Sequence, residues 1–553
     1  MRQVYDTWQL AEPLLTRGGS KAFTDMEKCK KLARVIKSRR APSWPCPPTS
    51  DLPPRETTDE LVDCYLRTTE TVYRILHIPT FKRDYQLIWQ SDNQADTAFL
   101  VQLKLVLAIG AVTYDDKFSL RSLAVRWIYE AQTWIAEPEF KARLGIQYIQ
   151  NSLLLMLAGE LVNIGDSAWI TGGSIFRRAV SMGLHRDPIS VPKRSVFVTE
   201  MRRRLWNTIL EVALQASLTS GGPPLISIDD FDTSPPGNFD DEQITTEDPL
   251  PRSDDEFTQM SIAIVLRQTY PIRLAVAKFL NDLKSSGTYE ETLRLDKELR
   301  AAYKIFCRQI QGYNSGSGQS SSHFEIRFAD FLVNRFLCSL HIPRFGPALR
   351  ETTYAYSRKV AVETALKLWF TASSNSAINA TPCHFGEAAG GPDYLERLAT
   401  CGSGVYRSVA MQAALLIALE LRTQLQEREG LVSVPLRPDF LACFEGAKAW
   451  TFRSIEAGET NVKGYVFLSA ISAEITGLTQ NLEIMELAKL MINAMEEAES
   501  RCLPLLESMA SEDPAAAGSG GAGQQRTPGA STGFAEDWDF MVSNGLLVLL
   551  HSP

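Results

Sequence analysis

"RRRLWNTILEVALQASLTSGGPPLISIDDFDTSPPGNFDDEQ", residues 202–243, joins a helix to an acidic run, and that junction decides how the chain is built. Leu205, Ile209, Val212, Ala213 and Ala216 fall on one stripe of a helix, and Gly221, Gly222 and the Pro223–Pro224 pair end it. Beyond the stop, five aspartates crowd the thirteen positions from Asp229 to Asp241. A magnesium clamp needs two adjacent carboxylates and a third one helical turn later. Asp229 and Asp230 are adjacent, but the turn-later residue is Thr233, and Pro235 with Pro236 forbid the helix that would aim them. A calcium loop would need glycine where Pro235 stands. The run is expected to be an exposed acidic connection between two helical rods. Arg202, Arg203 and Arg204 are expected to fan out to acidic partners and solvent.

Two blocks upstream have the same punctuated texture. In "RILHIPTF", residues 74–81, a helix should stop at His77–Ile78 because Pro79 disfavours helical geometry before it, leaving Phe81 to fold back onto the core. In "DSAWITGGSIFRRAVSMGLHRDP", residues 166–188, Asp166 or Ser167 can cap a helix whose stripe is Ile175, Ala179 and Met182. Gly183 and Pro188 mark its stop, with His185 in the exit turn. His185, Asp187 and the many serines invite a nucleophile–base–acid reading, but no G-x-S-x-G elbow, H-E-x-x-H, Walker loop or G-x-G-x-x-G positions one. Arg186 and Asp187 are instead expected to tie neighbouring helices by charge-assisted hydrogen bonds, and Trp169 and Trp206 to be core aromatics.

Helical periodicity governs the rest. "TTDELVDCYLRTTETVYRIL", residues 57–76, opens with Thr57 and Glu60 at capping-box spacing. Segments 97–113, 119–136, 146–160, 257–284, 289–311, 325–340, 350–370, 405–426, 439–456 and 482–508 read as helices, and strand alternation is absent. The expected fold class is all-α: a large multi-helical domain over 56–510, between a basic segment with a proline-rich linker (1–55) and a flexible linker with an acidic-aromatic tail (511–553). The basic segment, residues 21–40, holds eight basic and two acidic side chains, among them Lys30, Lys31, Arg34, Lys37, Arg39 and Arg40. Those six are candidate nuclear-import or DNA-contacting residues. In the tail, Phe534, Trp538 and Phe540 stand among Glu536, Asp537 and Asp539 as a candidate activation segment.

The totals bound these readings. With 44% hydrophobic and 22% charged residues in 553, the chain can bury a large core. A net charge of -8 argues against field-driven attachment to nucleic acid over the whole surface, so DNA contact would need a local basic patch or a separate module. Nine scattered cysteines without a C-x-x-C chelate no metal by spacing and fit reduced thiols. The longest uncharged apolar segment, "LGIQYIQNSLLLMLAG", is short for a bilayer and interrupted by Gln147, Gln150 and Asn151, so no membrane partner is expected.

At Ile78–Phe81, Ser167–Asp187 and Arg202–Asp241 the chain resembles the regulatory domain, or middle homology region, of fungal zinc-cluster transcription factors. Those proteins share an "I-P-x-F"-like corner, an "S-A-W…G-L-H-R-D" helix and an "R-R-R-L-W" helix running into glycine, prolines and an acidic loop. The resemblance marks Pro79, Phe81, Trp169, Gly183, His185, Arg186, Asp187, Arg203, Arg204, Trp206 and Pro223 as family-motif positions with structural or regulatory roles. It implies a nuclear transcription regulator, not an enzyme, that controls a metabolic gene cluster, secondary metabolism included. The implied partners are DNA, directly or through another protein, the transcription machinery, a homo- or heterodimer mate and a small-molecule effector. Zinc is expected only in the family's six-cysteine DNA-reading module, which this sequence does not supply, and no other cofactor is expected. The alternatives are a DNA-independent co-regulator and a helical magnesium-dependent prenyl-processing enzyme using Asp229 and Asp230.

Overall fold

The structure is a computed structural model describing residues 20–90, 96–137, 145–190, 195–247, 249–282, 287–314, 321–373, 392–426 and 437–511. Among the described residues there is no strand. The helices are α1 Lys21–Arg40, α2 Arg55–Arg67, α3 Thr69–Tyr73, α4 Ile78–Gln90, α5 Thr97–Tyr114, α6 Arg121–Ala136, α7 Ile146–Val162, α8 Ala168–Ser181 and α9 Val196–Ser220. They continue with α10 Ser261–Leu280, α11 Tyr289–Asn314, α12 His323–Ala348, α13 Ala355–Ala372, α14 Tyr394–Thr400 and α15 Val405–Gln426. The series ends with α16 Pro438–Glu456, α17 Lys463–Thr479 and α18 Ile484–Ser511.

The body is organised around α5, which is apolar on every side and buried from Phe99 to Thr113. A helix of that kind needs neighbours all round. Here they are α2, α6 and α7, with α14 behind. Its length and hydropathy would suit a bilayer span, yet 83% of that window is covered by the protein itself. Gly110 lets α2 lie directly on α5, since a Cβ there would stand 2.0 Å from the Leu61 carbonyl oxygen. A second layer, α10 to α13 with α15, carries Phe328, Phe331, Phe336 and Trp369 into the same continuous core.

A smaller core is separate. Ala22, Met26, Cys29 and Ile36 of α1 pack with Val462, Tyr465 and Val466 at α17 and with Met491, Met495, Ala498, Cys502 and Leu506 of α18. Lys21 meets Ser500, Lys28 meets Glu507 and Arg40 meets Met509, so α1 and α18 run parallel. Between α1 and α2 the proline-rich stretch is extended and lies along α6, with Cys46 N–H donating to Thr133 Oγ1 at 3.0 Å and Thr49 N–H to Glu130 Oε2 at 3.1 Å. Glu130 is itself buried against Lys104 Nζ at 2.5 Å.

Three local expectations are corrected. Pro79 opens a helix instead of closing one: α4 starts at Ile78, and Pro79 in its first turn has no N–H to waste. The run 57–76 is two helices, broken at Thr68 (φ -117°, ψ -94°), and α2 begins at Arg55 after Pro54 with no side-chain cap, so the Thr57–Glu60 box does not form. The helix expected over 325–340 continues to Ala348 through Pro343 and Pro347.

Candidate functional site

Ser195 caps α9, its hydroxyl accepting from Val198 N–H at 3.4 Å, and this fixes the phase at which the three arginines leave the helix. Consecutive residues point about 100° apart, so each meets a different neighbour. Arg202 reaches back to the carbonyl of Met182 at 2.9 Å, where α8 ends. Arg203 forks onto Asp187, Nε to Oδ2 at 3.2 Å and Nη2 to Oδ1 at 3.0 Å, and places Nη1 on Glu200 at 3.0 Å. Arg204 points inward, fully buried, with Nη1 2.5 Å from Asp241 Oδ1. Arg203 and Arg204 thus reach acidic partners as expected, but Arg202 and Arg204 are buried instead of facing solvent.

Asp241 is the centre of that fold-back. Its Oδ1 also accepts Arg74 Nη2 at 2.7 Å, and its Oδ2 accepts the Ile78 N–H at 2.8 Å. Its own N–H donates to Gln259 Oε1 at 3.0 Å, and its carbonyl lies 2.9 Å from His77 Nε2. A carbonyl can only accept, and His77 Nδ1 accepts the Thr80 N–H at 3.3 Å, so the ring carries its proton on Nε2. Arg74 adopts a left-handed backbone (φ 51°) at the end of α3, which swings its side chain into this site. Burial pushes the Asp241 carboxyl up, but Arg74 and Arg204 outweigh it and hold the group below its ordinary range. Burial raises neighbouring Glu70 to about 7 against the pull of Arg74.

The first half of the acidic run is stitched to the exit of α8. Gly183 (φ 73°) ends that helix, with Leu184 N–H on the Ala179 carbonyl and Gly183 N–H on the Val180 carbonyl, both at 2.9 Å. The next residues then pair with the loop: Thr233 Oγ1 donates to the Leu184 carbonyl at 2.7 Å, Asp232 N–H to the His185 carbonyl at 3.1 Å, and Asp187 N–H to Asp232 Oδ1 at 2.7 Å. Asp187 in turn accepts Ile189 N–H at 3.0 Å and Ser234 N–H at 2.9 Å. Burial opposes its charge, yet Arg203 and these amides bring its carboxyl down to about 2. Asp187 and Arg203 thus form the tie expected of Asp187 and Arg186, whereas Arg186 is exposed.

Trp206 is closed in by Phe231, Phe176 and His185 with ring centres at 5.6, 6.0 and 6.3 Å. Trp169 lies over the backbone of Gly222, where a Cβ would come within 2.8 Å of the ring, and donates to the Pro223 carbonyl at 3.4 Å. Phe81 packs on Tyr85 and Phe99 behind Pro79. Sequence reasoning missed Arg74, Glu70, Glu200 and Gln259. The one signal in the sequence was a lone arginine within the apolar run around residue 74, which buried-charge costs make conspicuous.

The acidic run is not uniformly exposed: Asp229, Asp230 and Asp232 face solvent, whereas Asp240 and Asp241 are buried. Asp229 and Asp230 are not gathered for a cation. Asp230 accepts the Ser227 N–H at 2.6 Å within a short capped turn, and among the described residues no group of three or more His, Cys, Asp or Glu side chains could hold a metal. A small cavity of about 30 Å³ lies between Thr219, Arg335, Ser339 and Ser408, room for a water or two. Of the basic candidates, Lys31, Arg34, Lys37 and Arg39 are exposed, and Lys30 pairs with Glu27 at 2.8 Å. Arg39 and Arg40 donate to the carbonyls of Ala510 and Gly458. Phe534, Trp538 and Phe540 lie outside the described residues.

The arginine-rich helix, the histidine corner and the acidic loop are thus locked together within one multi-helical body. Residues 62–324 match the model of the fungal specific transcription factor domain. It is 32% identical over 489 residues to the transcription factor opdR of Penicillium oxalicum, covering 82% of this chain and 60% of that protein. The transcription factor lepE of Aspergillus flavus is 33% identical over 493 residues (83% and 57%), and the aspyridones cluster regulator apdR of Emericella nidulans 31% over 356 residues (61% and 46%). The chain thus spans about half to three fifths of the length of these relatives. No solved structure matches it.

Proposed function

We propose that the protein is a nuclear regulator of transcription acting on the genes of one metabolic cluster, with the helical body as its regulatory platform. The observation that carries this reading is the domain match over 62–324, which contains the whole Arg74–Arg204–Asp241 lock, together with relatives named as transcription factors and as a cluster regulator. On this reading Lys30, Lys31, Arg34 and Lys37 on α1 serve import or phosphate contact, and Phe534, Trp538 and Phe540 serve recruitment of the transcription machinery. The acidic turn at Asp229 and Asp230 is structural and drives no catalysis.

A second reading, in which DNA is reached through a partner protein, is favoured by one feature: Arg39 and Arg40 are spent on carbonyls of the body. Chromatin occupancy of the intact chain, compared with the chain carrying Lys31→Glu, Arg34→Glu and Lys37→Glu, separates the two. Lost occupancy with an unchanged nuclear pool supports direct contact through α1. Retained occupancy supports recruitment by a partner. Absence of the intact protein from chromatin would overturn both.

A further inference from the structure

The exposed face of α1 is laid out as a receptor, and the chain carries a complementary segment. Phe23, Lys30, Arg34 and Lys37 recur at steps of seven, four and three residues and so share one side of the helix, beside the stripe buried on α18, with Lys30 half-buried. Lys31 flanks them. Phe23 is 43% exposed, which gives this basic surface an apolar foothold. Among the described residues, no ion pair engages Lys31, Arg34 or Lys37. The surface is also electrostatically singular: residues 21–40 hold eight basic and two acidic side chains in a chain whose net charge is -8. An acidic peptide meets attraction at α1 and, on average, repulsion elsewhere.

We infer that this face of α1 is the docking site of the chain's own acidic-aromatic segment around Phe534–Met541. Charge and chemistry match group by group. Glu536, Asp537 and Asp539 supply carboxylates for Lys31, Arg34 and Lys37, while Phe534, Trp538 and Phe540 supply rings for Phe23 and for the lysine and arginine stems and cations. The point of departure fits as well. The last described turn of α18 is held at the end of α1, where Arg39 donates to the Ala510 carbonyl. Twenty-two residues separate Ser511 from Phe534. At about 3.3–3.6 Å per residue they span far more than the roughly 30 Å of α1, so every turn of the helix is in reach. Tethering makes the encounter intramolecular and strengthens it without any further contact. Once docked, the tail and the basic face cover each other, so neither is open to an outside partner. This contact stands or fails independently of what the protein regulates.

The test is zero-length carbodiimide cross-linking of the full chain, as an equal mixture of nitrogen-15-labelled and unlabelled copies, read by mass spectrometry. Cross-links from Lys30, Lys31 or Lys37 to Glu536, Asp537 or Asp539 are expected within single copies, and they should vanish at about 1 M salt, where the screening length is near 3 Å. Lys31→Glu with Arg34→Glu and Lys37→Glu should abolish them, and adding Glu536→Lys, Asp537→Lys and Asp539→Lys should restore links between the exchanged positions. Absence of tail cross-links, links landing on other helices, or links joining labelled to unlabelled copies would overturn the inference. The salt series on the unaltered chain decides the matter even if the charge-reversed variant folds poorly.

Discussion

Asp241 and Glu499 are both buried carboxylates, and their surroundings give them opposite effects on stability. Asp241 accepts from two arginines and a backbone amide, so its removal strands Arg74 and Arg204 in the interior without a counter-charge. Asp241→Asn is expected to cost about 3–5 kcal/mol, read as a lower urea midpoint, because one charge of a buried cluster is lost and two remain. Its depressed carboxyl stabilises the fold above its ordinary value of 3.8 and loses that effect as pH falls further.

Glu499, fully buried on α18, has neither oxygen hydrogen-bonded. Burial, reinforced by Asp25 of α1 and Glu496 and only partly offset by Lys21, pushes its carboxyl from 4.5 up to about 9. A raised acid stabilises the folded state below its unfolded value and loses that contribution as pH climbs through its folded one. The packing of α1 on α18 should therefore weaken between pH 5 and pH 9. Glu499→Gln should flatten that slope and stabilise the unit at pH 7 by on the order of 2 kcal/mol. Parallel melting curves for the two proteins across that range would contradict this account.

Among elements, the contact of α2 with α5 is the tightest glycine-dependent approach. Gly110→Ala places a methyl group on the Leu61 carbonyl, so one helix must shift; about 1–3 kcal/mol is expected in urea unfolding. Gly312, in α11 with open space where a methyl group would stand, is the control: Gly312→Ala should be neutral or stabilising by about 0.5–1 kcal/mol. The same element scale explains Pro79. A proline after Ile78 forbids helix before it and favours helix after it, and both outcomes satisfy the local rule. What decides is the Asp241 carboxylate taking the Ile78 amide across 163 residues of sequence, which no window of periodicity contains.

At the scale of the molecule, the all-helical class and most rods were legible, because apolar residues at 3.6-residue spacing report burial directly. The phase of the arginines on α9 was legible too, but not their fates: Arg204 finds Asp241 37 residues away, and a charged triplet looks the same whether its partner is water or a buried acid. The apolar stripe of α1 showed in sequence, whereas its counterpart on α18 could not be assigned. In the structure α1 shares a core with α18. A core around α5, a second between α1, α17 and α18, and a small cluster of Met201, Phe239 and Ile244 make up the interior of the described residues.

That parallel pairing of α1 with α18 has a consequence for how the protein is made. Lys21 and Ser500 are 479 residues apart in sequence, so α1 emerges from the ribosome long before its partner exists. At about 5–20 residues per second the nascent helix waits roughly half a minute to a minute and a half with Met26, Cys29 and Ile36 uncovered and open to chaperones. Closure of the small core can come only after translation is nearly finished.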